Sequence, residues 1–413
     1  MTLSTLITID EALDAVLAEV RRLPAEEVGL LDALGRTAAA DVASSDDVPG
    51  YDNSAMDGFA LCAGDGLAAG TELRVVADIP AGSRATVAIG AGEAARIMTG
   101  APMPAGADTV VQVERTSAGA GVVRLDTDVV AGDNIRPAGE DLKRGATVVQ
   151  AGRQIRPAEL GLLAAAGVPR VLVARRPRVA ILATGSELVM PDEPVSAGTI
   201  RNSNAFTAYG QVIEVGAEPV MLGIARDDRN ETARLLAAAL EQDVAITSGG
   251  VSVGDYDFVK AVQDELGVQR RFWGVRTKPG KPLAFGVKDG TLVFGVPGNP
   301  VASMTSFEVF ARPAILSMLG RNAIWRPWVE VTLAEPQKRC KDRPELRRCV
   351  IEERDGERFA RTTGPQGSGV LSSMALAEGL MLLGTDFPGA DVGARINVML
   401  LEGEAAERPP FPS

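Results

Sequence analysis

The alternation of strand-length apolar runs with helical stretches between residues 178 and 325 constrains the fold more than any other feature of the chain. Strand and helix candidates follow one another at residues 179–182, 204–215, 220–222, 231–240, 244–246, 257–266, 292–294 and 301–319. Strands separated by helices of this length form a parallel, doubly wound sheet, and ligands bind at the carboxyl ends of its strands. The sequence therefore predicts an α/β domain with a binding site at that edge.

The rest of the chain is predicted to consist of β-rich regions and connecting segments. A chain of 413 residues is too long for one ordinary hydrophobic core, so several domains are expected. Thr8 and Glu11 form a capping-box pattern that predicts a helix near the N-terminus. A second helix is expected at residues 160–166, before a bridging segment at 171–177. Apolar runs between glycine-rich turns predict strands at residues 73–76, 85–88, 109–113, 122–125, 329–333, 348–351, 380–383 and 396–400.

The predicted fold class is α/β plus β in a multidomain chain. A doubly wound α/β domain is combined with a β-rich inserted domain and a small C-terminal β-barrel domain. The predicted order is an N-terminal helix with a linking segment, the β-rich domain, a second linking segment, the α/β domain and the barrel, at residues 1–45, 46–142, 143–177, 178–325 and 326–413.

Charge and composition exclude several classes of function. The formal net charge of −12 argues against nucleic acid or an acidic membrane as the main partner, so an anionic ligand needs a local positive field. The chain contains no histidine, which excludes Ser-His hydrolases, histidine-ligated zinc and imidazole general bases.

The cysteines and the first residues predict a cytoplasmic protein. Cys62, Cys340 and Cys349 form no Cys-x-x-Cys pair, so neither a thiolate metal cluster nor a disulfide framework is expected. Asp10 and Asp14 lie where a signal peptide would be apolar, and no apolar run is long enough to span a membrane. We therefore expect the reducing cytosol as the compartment.

A glycine-rich run follows the strand candidate at residues 244–246. It contains two serines, three glycines and a trailing aspartate: Ser248, Gly249, Gly250, Ser252, Gly254 and Asp257. Glycines let backbone N–H groups crowd around a phosphate, and a carboxylate beside that anion suits a bridging divalent cation. The alternative is a tight strand-to-helix turn, although one glycine would suffice for that. The spacing matches neither the P-loop nor the dinucleotide fingerprint, which disfavours a nucleotide triphosphatase.

Two further segments carry chemistry near that run. Lys278 and Lys281 are each followed by a proline that stiffens the segment, and rigid lysines suit a small oxyanion, although a solvated hairpin is the alternative. A turn with the sequence Pro-Gly-Asn-Pro follows at residues 297–300. The first strand of the α/β domain ends at residues 184–187, where Glu187 offers a second carboxylate and a plain helix cap is the alternative.

Rigid polar loops recur in the β-rich region. They lie at residues 49–60, 96–108 and 134–141 and display aspartate, threonine or arginine side chains. Each loop taken alone is more often a structural turn than a site. Their occurrence together in one module favours a carboxylate-bearing site.

Taken together, these motifs closely resemble the molybdopterin molybdenumtransferase family (MoeA), whose eukaryotic relatives include the E domain of gephyrin. The resemblance covers nearly the whole chain, with motifs in order at residues 49–60, 96–111, 134–141, 183–188, 248–257, 278–282, 297–301 and 364–373. It implies an elongated four-domain homodimer whose site lies between the α/β, molybdopterin-binding domain of one subunit and the β-rich domain of the other. It implies insertion of molybdate into adenylylated molybdopterin with Mg²⁺ and release of AMP. The molybdopterin adenylyltransferase and downstream molybdoenzyme chaperones are the further partners that it implies.

The resemblance also assigns roles by position. The catalytic set would be Asp57, Thr99, Arg136, Asp141, Glu187, Asp227 and Asp257, with Asp257 and Glu187 as the Mg²⁺ ligands. The substrate-binding set would be Thr184, Gly185, Ser186, Gly249, Gly250, Ser252, Gly254, Pro297, Gly298 and Asn299. The molybdate-binding set would be Lys278, Lys281, Arg348 and Ser368. Many members of the family have a serine where this chain has Ala302, with Ser303 next, which leaves that contact to the oxyanion open.

Two other functions compete with this interpretation. An adenylyltransferase of the same pathway shares a similar α/β domain, but it lacks the β-rich regions at residues 46–142 and 326–413. A non-catalytic scaffold would not need Asp57, Asp141 and Asp257 together with both lysines.

Overall fold

A mixed six-stranded sheet forms the centre of the α/β domain in the computed structural model, which describes residues 6–83, 86–250 and 258–412. In spatial order its strands are Glu218–Ala225, Arg178–Thr184, Val244–Ser248, Thr291–Val296, Ala284–Lys288 and Gln269–Trp273. The first four strands run parallel, and the last two pair antiparallel. The parallel strands bring their carboxyl ends to one edge, where the sequence predicts the binding site.

Helices cover both faces of this sheet, which confirms the doubly wound prediction. They are Asn204–Glu214, Arg229–Leu240, Phe258–Glu265, Pro300–Ser306 and Arg312–Met318. Val179 and Ile181 pack in the same hydrophobic cluster as Val212, whereas Leu182 packs with Leu236 on the opposite face. This alternation follows from the two-residue period of a strand.

The long helix predicted at residues 301–319 is interrupted. A π-helical segment, Phe307–Ala311, separates the two α-helical parts. Pro313 lacks an N–H group, so it cannot donate the regular hydrogen bond to the carbonyl four residues earlier. The helical register therefore changes just before this proline.

A closed five-stranded barrel forms the C-terminal domain, as predicted. In order around the barrel its strands are Trp328–Leu333, Glu357–Thr362, Glu345–Arg354, Gly379–Leu383 and Arg395–Leu400. Leu346, Leu380 and Met399 from the barrel belong to the same buried cluster as Phe285 and Leu316 of the α/β domain. The barrel and the α/β domain therefore share one hydrophobic core.

The β-rich domain is a separate six-stranded sheet with its own core. In spatial order its strands are Thr109–Gln112, Gly58–Leu61, Glu93–Ile97, Glu72–Ile79, Val122–Leu125 and Thr116–Gly119. Residues 86–88, part of a predicted strand, form none, and Ala85 lies outside the described residues. Val87 is exposed there, so the apolar pattern at this point has no core to pack against.

The two segments that the sequence analysis treats as linking segments pack against each other in a body that we name the base unit. Ala25–Gly29 pairs with Arg170–Ala174, and Val42–Ala43 pairs with Thr147–Val149. The helix Pro157–Ala165 packs on this unit. The β-rich domain joins it through an antiparallel neck, in which Val48 N donates to Leu142 O at 2.7 Å and Ser44 N donates to Ala146 O at 2.9 Å.

The N-terminal helix Ile9–Leu17 has the predicted capping box. Glu11 N donates to Thr8 Oγ1 at 3.2 Å, and Thr8 N donates to Glu11 Oε2 at 2.7 Å. Leu13 and Val16 are buried in the core of the α/β domain. Within the ranges that the structure describes, no helix is both long and apolar enough to cross a membrane.

The remaining short elements lie within these units. They are the strands Asn53–Ser54, Ile135–Arg136, Leu188–Val189, Ile200–Arg201, Gln337–Lys338 and Gly389–Ala390, the 3₁₀ turns Leu31–Ala33 and Val113–Arg115, and the helix Leu371–Ala375.

Candidate functional site

Three strand ends of the α/β domain meet at glycine residues. Thr184 Oγ1 donates to Ser248 O at 3.2 Å, which joins the end of the strand Arg178–Thr184 to the end of the strand Val244–Ser248. A Cβ atom added to Gly249 would lie 2.7 Å from Thr184 O, and one added to Gly298 would lie 3.9 Å from the Cα of Gly249. Gly249 has a φ of +90° and Gly250 a φ of +68°, a conformation that favours glycine. Gly249, Gly250 and Gly298 therefore present bare backbone at one edge of the sheet, which we name the glycine edge.

Two carboxylates flank Ser186 at the same edge. Ser186 N donates to Asp227 Oδ2 at 3.3 Å, and Asp227 N donates to Ser186 Oγ at 2.9 Å. The Glu187 carboxylate lies over Gly185, because a Cβ atom added there would be 2.3 Å from Glu187 Oε2. Both carboxylates are exposed, and such oxygen ligands suit Mg²⁺, which binds through one or two carboxylates together with substrate phosphates.

The other predicted Mg²⁺ ligand, Asp257, lies outside the described residues, and so do Ser252 and Gly254. Within residues 6–83, 86–250 and 258–412, no group of three or more Cys, Asp or Glu side chains is arranged to hold a metal ion. Of the two predicted Mg²⁺ ligands, Glu187 is the one that the structure describes. The role of Glu187 as a ligand stays a prediction.

Asn204, which the sequence analysis did not single out, contacts the glycine edge. Its Nδ2 donates to Gly298 O at 2.9 Å, which fixes the Pro-Gly-Asn-Pro turn that includes Pro297 and Asn299. Its Oδ1 is buried and has no hydrogen-bond partner among the described residues. A buried acceptor of this kind needs water or a ligand. The signal was the polar run Asn202, Ser203, Asn204, which opens a helix directly after a short strand.

The lysine hairpin, residues 278–282, packs between the α/β domain and the barrel. Lys278 Nζ donates to Glu345 Oε1 at 3.1 Å, whereas the exposed side chain of Lys281 makes no hydrogen bond or ion pair with the described residues. Gly280 sits on the helix Pro300–Ser306, since an added Cβ atom would be 3.2 Å from Ser306 Oγ. Ala302 lies in that helix and is buried.

We name the place where the hairpin packs on the helix Pro300–Ser306 the lysine corner, and the barrel domain places Arg348 and the Ser368 loop next to this helix. Ser368 O accepts a hydrogen bond from Val301 N at 3.1 Å, so its loop lies at the start of the helix that follows the Pro-Gly-Asn-Pro turn. The buried Arg348 guanidinium supports this loop through donations to Pro365 O, Gln366 O and Gly367 O at 3.1 to 3.3 Å. Arg348 Nε also donates to Ser373 Oγ at 3.0 Å, and burial lowers the pKa of Arg348. These contacts favour a positioning role for the arginine.

A second cluster of predicted residues lies on loops of the β-rich domain. Asp57 Oδ1 accepts from Thr99 N at 2.7 Å and from Thr99 Oγ1 at 2.8 Å, and these bonds lower the pKa of Asp57. Arg136 lies in a short strand that pairs with Asn53, and Asp141 N donates to Val48 O at 3.0 Å. The side chains of Asp57, Thr99, Arg136 and Asp141 are all exposed. The three predicted loops are therefore brought onto one surface.

The two clusters do not meet within one chain. Among the described residues, no hydrogen bond or ion pair joins residues 49–141 to the α/β domain. The hydrophobic clusters of the β-rich domain likewise contain only its own residues. One chain therefore displays two separate polar surfaces rather than one closed site.

Comparisons with known proteins bear on both surfaces. The MoeA N-terminal region (domain I and II) matches residues 7–167, a probable molybdopterin binding domain matches 180–317, and the MoeA C-terminal region (domain IV) matches 330–401. A molybdopterin molybdenumtransferase of Bacillus subtilis is 34% identical over 98% of this chain and 97% of its own length. The chain belongs to the molybdopterin molybdenumtransferase (MoeA) family. A second molybdopterin molybdenumtransferase, from a Nostoc species, is 40% identical over 73% of this chain and 71% of its own length.

Solved structures of the MoeA family share this fold. The crystal structure of a molybdopterin biosynthesis MoeA protein from Pyrococcus horikoshii superposes with a TM-score of 0.81, at 30% identity, over 97% of this chain and 100% of that one. The resemblance inferred from ordered motifs is thereby confirmed. The α/β domain of this MoeA-family chain carries the glycine edge, and its barrel supplies the loop that contacts the start of the helix Pro300–Ser306.

Proposed function

We propose that the chain is a molybdopterin molybdenumtransferase, which inserts molybdate into adenylylated molybdopterin and releases AMP in molybdenum cofactor biosynthesis. The observation that carries the proposal is the junction of the glycine edge with the lysine corner. The helix Pro300–Ser306 links them, because it starts at the Pro-Gly-Asn-Pro turn and Gly280 of the hairpin packs on it, with an added Cβ atom 3.2 Å from Ser306 Oγ. Val301 N, one residue after the turn, donates to Ser368 O of the barrel loop at 3.1 Å. A phosphate-bearing pterin can thus lie on the glycines while an oxyanion reaches the lysines.

The residues divide the chemical work. Backbone at Gly298 would approach the phosphates closely, because the nearest atom to an added Cβ atom there lies 3.9 Å away. Gly249 would present its backbone beside it, while its other side packs against Thr184. Lys278 and Lys281 would offset the two negative charges of molybdate in a chain whose net charge is −12. Glu187, with Asp257, would hold Mg²⁺, which when bound supplies charge neutralisation for phosphoanhydride cleavage. The substrates of the proposed reaction are therefore molybdate and adenylylated molybdopterin.

The proposed assembly is a homodimer with sites shared between subunits. Asp57, Thr99, Arg136 and Asp141 form an exposed surface with no hydrogen bond or ion pair to the described strand ends of the same chain, which supports completion of the site by a second copy.

An exposed apolar helix face supports the same assembly. Phe206, Tyr209 and Ile213 are 47%, 45% and 52% exposed on one face of the helix Asn204–Glu214. Leu34, 45% exposed, precedes Gly35, whose carbonyl lies 3.8 Å from a Cβ atom added to Gly216 just beyond this helix. Large apolar side chains exposed together on one helix face are typical of a protein–protein contact.

The primary experiment follows AMP release by purified protein with adenylylated molybdopterin, Mg²⁺ and molybdate. We expect release that depends on both ions, and its absence under all conditions would refute the proposed activity. The shared site is tested by mixing inactive Asp57→Ala with inactive Asp257→Ala protein. Partial activity should return through heterodimers, whereas no recovery after verified subunit exchange would contradict sharing.

The adenylyltransferase and the molybdoenzyme chaperones stay proposed partners, and the cytoplasm stays the proposed compartment. All three cysteines are free, as expected for a reducing compartment.

A further inference from the structure

Lys278 is held in place by a carboxylate from another domain. Its Nζ donates to Glu345 Oε1 at 3.1 Å, and Glu345 begins a strand of the barrel. The side chain of Glu345 is 11% exposed, whereas that of Lys278 is 54% exposed. A mostly buried carboxylate therefore anchors a lysine whose other side faces solvent.

A second cation fixes the carboxylate itself. Arg347 Nε donates to Glu345 Oε2 at 2.8 Å, and Arg347 Nη1 donates to Gln337 Oε1 at 3.0 Å. Each oxygen of Glu345 thus has its own cationic partner. Burial raises the pKa of Glu345, but the hydrogen bonds from Arg347 and Lys278 outweigh burial and leave the pKa below its ordinary value. The group is ionised at neutral pH.

The backbone reinforces the same contact. Lys278 N donates to Pro344 O at 2.9 Å, and Leu346 N donates to Lys278 O at 2.8 Å. The barrel strand therefore fixes both the main chain and the side chain of Lys278. The side chain of Lys281, three residues on, makes no hydrogen bond or ion pair with the described residues. The two lysines of the hairpin are not equivalent.

We propose that Glu345 is a positioning residue of the oxyanion site, which holds the Lys278 ammonium at the corner where the hairpin meets the Arg348 strand. Glu345 acts through Lys278 and does not contact the oxyanion. A lysine that is already ordered loses less side-chain entropy when an anion binds. Lys278 therefore provides the fixed charge of the site, and Lys281 provides the mobile one. This inference rests on the proposed molybdate insertion.

The test is a double-mutant cycle with Glu345→Ala, Lys278→Ala and the double variant. In the wild-type background, Glu345→Ala should raise the apparent KM for molybdate (the molybdate constant) roughly 3- to 10-fold. This is the scale expected when one immobilised side chain is released. The affinity for adenylylated molybdopterin should stay unchanged. In the Lys278→Ala background, Glu345→Ala should add less than about twofold, because the residue it positions is gone.

Glu330→Ala is the matched control. Glu330 lies on the same barrel, 55% exposed, and pairs with Arg395 at 2.9 Å rather than with a residue of the hairpin. It should leave the molybdate constant at the wild-type value. Thermal unfolding of each variant separates loss of fold from loss of positioning, and Glu345→Gln replaces Glu345→Ala if the alanine variant does not fold.

Two results would overturn the inference. One is an unchanged molybdate constant in folded Glu345→Ala protein. The other is a full, independent effect of Glu345→Ala in the Lys278→Ala background, which would assign Glu345 a role apart from the lysine. If the wild-type protein released no AMP, the proposed function would fail, and calorimetric titration with molybdate alone would decide the positioning role by the same comparison.

Discussion

Gly298→Ala separates a glycine required by a ligand from one required by the fold. Gly298 is exposed, its φ lies outside the left-handed region, and an added Cβ atom meets nothing closer than 3.9 Å. The unliganded protein should therefore accept alanine, with a gain of about 0.4–1 kcal/mol in the free energy of unfolding from the stiffer unfolded chain. The fold itself therefore does not require glycine at this position.

A bound ligand would require glycine at position 298 if its phosphates pack against this backbone. An extra methyl group in a close-packed contact costs about 1–3 kcal/mol. Affinity for adenylylated molybdopterin should then fall by about 5- to 150-fold, because about 1.4 kcal/mol corresponds to a factor of ten. Gly249→Ala provides the contrast. Its φ of +90° and the 2.7 Å approach to Thr184 O should destabilise the fold by about 1–2 kcal/mol or more before any ligand binds.

The assays are urea unfolding of both variants without ligand and calorimetric titration of the folded protein with adenylylated molybdopterin. Folded Gly298→Ala protein with wild-type pterin affinity would refute close approach of the ligand at this turn. Marked destabilisation of Gly298→Ala would refute the steric argument itself.

Three further changes test other parts of the molecule. Arg348→Met should lower the free energy of unfolding by about 1–3 kcal/mol in urea, because it removes the donations of a buried guanidinium to partly exposed loop carbonyls. Wild-type stability with a raised molybdate constant would favour direct anion binding instead. The hydrogen bonds from Arg156 and Arg153 lower the pKa of Glu159 to about 2. The contribution of Glu159 to stability is therefore present at neutral pH. It disappears as the pH falls from about 4.3, the ordinary pKa of a glutamate, toward 2. The melting temperatures of wild-type and Glu159→Gln protein should therefore converge between pH 7 and pH 3, and a constant difference would contradict the shifted pKa. Lys281→Ala should weaken molybdate binding by about 2 kcal/mol or more while sparing pterin affinity, with incomplete rescue by arginine; the reverse pattern would assign the lysine to the phosphates.

Local patterns predicted the α/β domain well because its signals are short in range. The apolar runs at residues 179–182 and 244–246 became strands Arg178–Thr184 and Val244–Ser248, and their trailing glycines reached one edge. The capping box at Thr8 was equally local. The antiparallel pairing of Ala284–Lys288 and Gln269–Trp273 was not foreseen, since nothing in an apolar run specifies its direction.

Contacts between distant parts of the chain were missed. Ala25–Gly29 pairs with Arg170–Ala174 across the whole β-rich domain, and neither strand has a partner nearby in sequence to suggest the pairing. Glu345 and Asn204 escaped notice because each gains its role through one distant residue, Lys278 or Gly298. Arg348 was foreseen as an anion ligand, and its dense contacts to loop carbonyls come from tertiary packing that composition does not encode.

The neck beneath the β-rich domain has a consequence for the order of folding. Val48 and Leu142 are hydrogen-bonded neighbours, although roughly ninety residues separate them along the chain. If those residues were still disordered, bringing Val48 and Leu142 together would close a long loop. The loss of chain entropy would then cost about 3 kcal/mol more free energy than closing a loop of a few residues. A β-rich domain that has already folded brings its two ends together and removes most of this penalty. We therefore expect the insert to fold first and to act as a nucleus on which the base unit then assembles.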